Sequence, residues 1–427
     1  MKVVLWISII LMLMTPVVAN ELFIVNSGCR TLSRIDLSTE SLSVTNNFTS
    51  TQLGVIGNHI VYHDGRLFVV NSSSNNVQVF NADTGVLIRT INLPVGSNPM
   101  HIRIHKDFAY VSGLYTNKVY KIDINSYAVV GDLPIATAPQ GLLVVGDKLY
   151  VTVTGFVFDE PYLPGRIAVV DLNTFTVTNN IPVEINPWDL IVDDNGLLHV
   201  VCAGDFADYP SFSVIIDSKT YEIVDKVELS IPGTTIQRGP NNTIFVGSWI
   251  GFNNYHADTF VLSEKIYFVG GQVLLYDKSF IYVLEPNYSG LSKVRVYRHS
   301  DFENTFKEIV VGVGATSWVI REKKDVSIND IVRTNTIEII AYPNPFASSI
   351  RLSAKGLGNE VKLEIFNIRG QRVRELGSGV WGQGIQSMDW NGDDDRGKSV
   401  SNGIYFIRVS DEKGNQMTKI IVRVIYD

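Results

Sequence analysis

One short strand recurs seven times over the first 300 residues of the chain, and that repetition limits the fold more than any other feature. The copies are Leu22-Phe23-Ile24-Val25, Leu67-Phe68-Val69-Val70, Ala109-Tyr110-Val111-Ser112, Leu149-Tyr150-Val151-Thr152, Leu198-His199-Val200-Val201, Ile244-Phe245-Val246-Gly247 and Ile281-Tyr282-Val283-Leu284. Their starts lie 45, 42, 40, 49, 46 and 37 residues apart. β-Branched and aromatic residues dominate, as a half-buried pleated surface requires. Polar turns such as His63-Asp64-Gly65-Arg66 precede the copies. A third strand ending in Asp or Asn follows, as in Val77–Asn81 and Ile167–Asp171, and a fourth leads to a Pro-containing loop such as Leu93–Pro99. Four strands per ~40–45 residues, repeated radially, predict an all-β fold of the β-propeller kind.

The repeat also predicts how the ring closes. The chain enters it at a second strand, Leu22, with no first strand before it. Ser317-Trp318-Val319-Ile320-Arg321 is a spare strand at the far end. A composite first blade made from both termini removes the two bare edges. The reading is seven blades over residues 20–323, with the weakest pattern in blade six, between Tyr255 and Lys265.

Composition excludes several classes. Only 19 % of the 427 residues are charged and 45 % are hydrophobic, so the chain can offset its ordering entropy by burial. Net charge is −7, and residues 20–336 carry 23 basic and 32 acidic side chains. Nucleic acid and anionic membrane surfaces are therefore poor partners for this region. Residues 1–19 read as a signal peptide: Lys2, an apolar run from Val3 to Met14, then Val17-Val18-Ala19 before the cut. That run is short of the ~20 residues a membrane span needs, and no later stretch reaches it. No transmembrane segment is expected after signal removal. Cys29 and Cys202 fall on opposite sides of the ring, so two unpaired thiols are expected.

A second pattern begins after a polar linker at residues 324–336. Short strands follow at Ser349–Ala354, Val361–Asn367, Arg372–Leu376, Ile385–Trp390, Ile404–Ser410 and Met417–Ile425. Short strands at this spacing in residues 337–427 predict an immunoglobulin-like β-sandwich.

Two resemblances add to this reading. Residues 67–141 resemble YVTN-type (YncE-like) β-propeller repeats through Phe68-Val69-Val70-Asn71, Asp83-Thr84-Gly85 and Val95-Gly96-Ser97-Asn98-Pro99. That family implies binding proteins and scaffolds without a fixed catalytic set. Residues 337–427 resemble the C-terminal sorting domain of type IX secretion cargo and its sister, the FlgD-like Ig domain. The motifs are Tyr342-Pro343-Asn344-Pro345-Phe346, Ile365–Gly370, Trp390-Asn391-Gly392 and Asn402-Gly403-Ile404-Tyr405-Phe406. The resemblance implies the type IX machinery as a partner. It also implies passage across the outer membrane of a Gram-negative bacterium, with the cargo extracellular or attached to the cell surface.

A binding site is expected on the face carrying the loops after the second strands. These are short in blades two and three and long in blades four, five and six: Gly155–Gly165, Ala203–Ser211 and Gly247–Asp258. Their aromatic and acidic content (Phe158, Asp159, Glu160, Tyr162; Asp205, Asp208, Tyr209; Trp249, Tyr255, His256) suits an extracellular glycan or peptide, by stacking and directed hydrogen bonds. The first strands start at Asn58, Met100, Gln140, Trp188, Thr234, Gln272 and Trp318, which places Trp188 and Trp318 at the channel mouth. His59 and His101 occupy matching places in adjacent blades. Two ligands fall short of a catalytic zinc site, so no metal and no cofactor is expected. No GxSxG, HExxH, P-loop or CxxC motif is present. The reading is an exported binding or scaffold protein. The alternative is an exported hydrolase or lyase acting on polysaccharide or a lactone, using acids such as Asp159, Glu160, Asp205 and Asp208.

Overall fold

The computed structural model describes residues 20–37, 42–277, 280–321, 338–355, 360–380, 386–411 and 416–424. The signal peptide and the linker expected from sequence lie outside these residues. The chain divides into two compact units, Met1–Lys324 and Asp325–Asp427. The described residues are all-β, and the first unit is propeller-like.

That first unit holds seven antiparallel sheets among the described residues, here numbered one to seven along the chain. Sheets two to five are regular: Gly57–His63 to Leu87–Asn92, Pro99–His105 to Ala128–Pro134, Pro139–Val145 to Thr176–Pro182, and Pro187–Val192 to Ile223–Glu228. Each has four strands, the first innermost, and consecutive first strands pack side by side. Sheet one joins Ala315–Arg321 to Glu21–Asn26, Thr31–Asp36 and Val44–Thr45, so it combines both ends of the unit. The join is pinned by charge. Arg321 Nε donates to Glu21 Oε2 at 2.6 Å and its Nη1 to Asp83 Oδ1 of sheet two at 2.7 Å, while Arg34 reaches the other Glu21 oxygen. Glu21 and Arg321 are 1 % and 4 % exposed.

The recurring Asp or Asn after the third strand is a turn device in sheets two to five and seven. Asn81 Oδ1 accepts the N–H groups of Asp83 and Thr84; Asp123, Asp171, Asp217 and Asp301 do the same two and three residues onward. These are Asx turns, which replace backbone partners lost at the strand end. A second device spaces the sheets. Hydroxyls of Ser72, Ser112, Thr152 and Thr235 donate to carbonyls of Pro99, Gln140, Trp188 and Gln272 at the start of the next sheet. Thr316 reaches Gly57 in the same way.

Sheet six departs from the pattern. It has three strands among the described residues, Thr235–Arg238, Thr243–Gly247 and Phe252–His256. Residues beyond touch it through isolated bridges, Tyr255 to Leu262 and Phe252 to Tyr267. Phe245, Phe252, Tyr267, Phe268, Tyr297 and Phe302 cluster here, with Phe268 and Tyr297 at 4.7 Å. Ring packing takes over what a fourth strand supplies elsewhere. Sheet seven runs from Val273–Tyr276 to Lys307–Val313.

The second unit is a β-sandwich. Glu338–Tyr342, Ile350–Lys355 and Gln386–Trp390 form one sheet; Arg372–Val380, Glu360–Asn367, Gly403–Asp411 and Gln416–Arg423 form the other. Both sheets contribute to a single core of Phe346, Ile350, Leu352, Leu363, Ile365, Trp390, Tyr405, Ile407, Val409 and Ile421.

Candidate functional site

The starts of the first strands carry a feature no periodicity reveals. In sheets two to five the register slips there: between Gly57 and His59, Pro99 and Ile102, Pro139 and Leu142, and Pro187 and Asp189. Bulges re-aim side chains at sheet edges. Counting from the second strands, His59 faces Val70 and Asp189 faces Val201, while His101 lies opposite Ser112. These three residues occupy one level of the ring, in sheets two, three and five. Sheet four has Gly141 at this level, where a Cβ would stand 2.5 Å from the Trp188 carbonyl oxygen.

A cavity of about 310 Å³ runs along the axis at this level, lined by His59, His101, Arg103, Asp189 and Trp318 and by strands of sheets six and seven. The rings of His59 and His101 stack at 4.3 Å. Arg103 Nη1 donates to the Ile102 carbonyl at 3.0 Å and lies 2.9 Å from His59 Nε2. A guanidinium can only donate, so His59 Nε2 accepts and Nδ1 carries the ring proton. Among the described residues, Nδ1 of both histidines and Trp318 Nε1 have no hydrogen-bond partner. Burial lowers both histidines, His59 well below its usual value and His101 to about 3, so both are neutral near pH 7. Asp189 is raised, chiefly by burial, against the pull of Arg103 and of the Leu190 and Ile236 N–H groups.

Above this level lies an aromatic rim. Trp188 sits at the bulge of sheet five, its Nε1 on Asn186 Oδ1 at 2.8 Å. Phe206 packs edge-on to Trp188 at 6.1 Å and lies 5.8 Å from Trp249 of sheet six. Phe206 is 42 %, Tyr209 44 %, Trp249 53 % and Phe158 78 % exposed. A groove of about 250 Å³ lies between Phe206, Tyr209 and Leu229–Pro232. Tyr209 donates to Glu184 at 3.1 Å. Tyr162 packs on Phe156 at 5.9 Å. Asp205 Oδ1 accepts the N–H groups of Ala207 and Tyr209, which folds its loop and lowers its pKa. Asp159, Glu160 and Asp208 are solvent-exposed.

Three expected rim residues lie elsewhere. The expected long loop after the second strand of sheet six, Gly247–Asp258, is instead a tight turn at residues 248–251 followed by the strand Phe252–His256. Tyr255, on that strand, is 2 % exposed; its hydroxyl bonds His199 Nδ1 at 2.9 Å and Ser213 at 2.6 Å, in a buried network ending on Asp193. His256 pairs with Thr243 at the opposite end of the strand from Phe252, so it faces away from the rim. Trp318 pairs with Ile24, which makes it equivalent to Ile60. The residue equivalent to Asn58 is Thr316, and Trp318 is a wall of the cavity, 6 % exposed. Sequence reasoning missed Arg103 and Asp189. Their signal was available: each is a charged residue on a first strand, the innermost edge of its sheet.

The sorting-type motifs converge on the sandwich core. Phe346 and Tyr405 each approach Trp390 at 5.4 Å, and Asn344 Oδ1 accepts the Val422 N–H at 2.8 Å. Pro343 precedes Asn344 and Pro345 at the end of the Glu338–Tyr342 strand. Gly370 turns the chain after Glu360–Asn367, and Gly403 begins the strand that holds Tyr405. Gly392 has φ of +69° and lies under Arg423, where a Cβ would meet the guanidinium carbon at 2.5 Å. Cys29 and Cys202 are both free thiols. Among the described residues, no three His, Cys, Asp or Glu side chains are grouped as for a metal ion, and no helix is long and apolar enough to cross a membrane.

Residues 340–423 match the family described as the secretion system C-terminal sorting domain. Such a domain engages type IX secretion and sends its protein across the outer membrane, to the cell surface or the extracellular space; that is the destination of this protein. No curated protein matches the sequence. Among solved structures, the chain is similar to PorZ of Porphyromonas gingivalis, described as an essential bacterial surface component of the type IX secretion system. That match has 12 % identity and a TM-score of 0.44, over 92 % of this chain and 63 % of PorZ, so the chain spans less than two thirds of that protein. It is similar to a putative 6-phosphogluconolactonase from Bacteroides uniformis, with 10 % identity and a TM-score of 0.57 over 71 % of this chain and 99 % of the other. Kuenenia stuttgartiensis hydrazine synthase aligns at 14 % identity and a TM-score of 0.42, over 87 % and 97 %. The second likeness concerns the fold alone.

Proposed function

We propose that the first unit is a seven-bladed propeller, with repeats of the YVTN type, that acts as a ligand platform outside the cell. The domain reading is a leader at residues 1–19, the propeller at 20–323, a linker at 324–336 and an immunoglobulin-like sandwich at 337–427, of the sorting and FlgD-like kind. The ligand is a glycan or a peptide. One observation carries this: Trp188, Phe206 and Trp249 form a continuous aromatic path from the axis to the rim, across sheets five and six. Exposed rings beside exposed polar loops stack on sugar faces or apolar peptide side chains. The hydrolase or lyase reading is weaker, because Asp205, one of its acids, is committed to backbone N–H groups of its own loop. A glycan and peptide array probed with the mature protein tests the proposal. Binding that disappears in Trp249→Ala/Phe206→Ala supports it; binding indifferent to both changes refutes it.

A further inference from the structure

We propose that the axial cavity is a second site, distinct from the rim, for a small polyhydroxylated carboxylate such as a uronic or aldonic acid, held by the guanidinium of Arg103. Arg103 is partly exposed and lines the cavity. Only its Nη1 has protein acceptors among the described residues, Ile102 O and His59 Nε2. The other edge of the guanidinium, Nε and Nη2, is the fork that matches a carboxylate in two parallel hydrogen bonds. His59, His101 and Trp318 line the same cavity.

The one carboxylate in the wall attracts Arg103 only from beyond ion-pair distance. Asp189 accepts from Leu190 N at 2.9 Å and Ile236 N at 3.5 Å, and among the described residues it forms no ion pair with Arg103. The histidines are neutral, which leaves Arg103 as the cavity's cation. The remaining wall interleaves uncharged polar residues (Asn58, Thr235, Gln237, Thr316), suited to hydroxyl groups, with apolar ones (Ile60, Trp318). About 310 Å³ is at the small end of ligand pockets, which favours a single acid residue over a chain.

Calorimetric titration of the mature protein with galacturonate, gluconate, galactose and inorganic phosphate tests this. One acid should bind at one site per chain, at least tenfold tighter than galactose and than phosphate. Arg103→Met should weaken it at least tenfold, and Arg103→Lys, which keeps charge but loses the fork, by less. If Arg103→Met melts early, Gln237→Leu is the second variant and should weaken the acid without altering phosphate. Trp249→Ala should leave acid binding unchanged, so failure of the rim reading and failure of this one are separable. No acid binding up to 10 mM, equal binding of acid and galactose, tighter binding of phosphate, or indifference to Arg103→Met would each overturn the proposal.

Discussion

The axis of the propeller and the core of the sandwich each carry an arginine, and the two are held in opposite ways. In the sandwich, Arg423 donates to the carbonyls of Gly392 and Val400 and to Ser399 Oγ, so it ties down the turn after Trp390. Its surroundings are an apolar core with three touching aromatic rings. On the axis, Arg103 uses one nitrogen and keeps the rest of its fork toward a cavity. An arginine whose two terminal nitrogens are both committed to its own fold is a clamp; one with a terminal nitrogen left toward a cavity is a receptor. The sandwich therefore spends its buried arginine on its own fold, while the propeller keeps polar capacity toward a cavity.

The largest separation of the two regions comes from cutting them apart. Removing residues 337–427 should leave a folded propeller that stays in the periplasm, and fractionation with immunoblotting reads this directly. Truncated protein appearing outside the cell at the normal level would contradict the sorting role.

Next are changes that break a saturated clamp or a full core. Arg321→Met strips Glu21 of its buried partner, and Trp390→Ala empties the sandwich core. Each should cost about 3–5 kcal/mol in urea unfolding. Arg103→Met should instead fall within about 1 kcal/mol of wild type, since a receptor arginine without a close ion pair contributes little to folding. A loss as large as that of Arg321→Met would erase the distinction between clamp and receptor.

Acid sharpens the same contrast. His59 and His101 are neutral in the fold but titrate near 6.5 when unfolded. Below pH 6.5 the unfolded state binds more protons, so their stabilisation is complete above that value and is lost on acidification toward about 3, where His101 itself titrates. The slope is up to about 1.4 kcal/mol per pH unit for each histidine. Urea midpoints between pH 7 and 4 should fall less steeply in His59→Asn/His101→Asn than in wild type. Parallel curves would mean the rings protonate freely and face open solvent.

The smallest effect is at the rim. Trp249→Ala removes an exposed ring and should change stability by no more than about 0.5 kcal/mol while abolishing array binding. A large drop in melting temperature would make Trp249 core and leave the rim without its central residue.

Much of the strand pattern was legible because its causes are local. Alternation of β-branched and aromatic residues marks the second strands, and Asp171 or Asn81 marks a turn by bonding N–H groups two and three residues onward. Sheet six was misread for an equally local reason. Phe252-Asn253-Asn254-Tyr255 has the polarity of a loop, yet Asn253 is buried and bonds Ser230, and Tyr255 closes a network with His199. Polar side chains satisfied by another sheet carry no hydropathic signal.

The sequence by itself determined the repeat, the surplus strand that completes sheet one and the motif-rich second unit, since each is written in neighbouring residues or in the balance of the two ends. Only the tertiary structure decided that His59, Arg103 and Asp189 line one cavity. They belong to three different sheets, and the distance between them depends on where each first strand bulges and on how the ring closes. A one-residue slip at any bulge would turn its side chain to the other face of the sheet, and no local preference records which slip was taken.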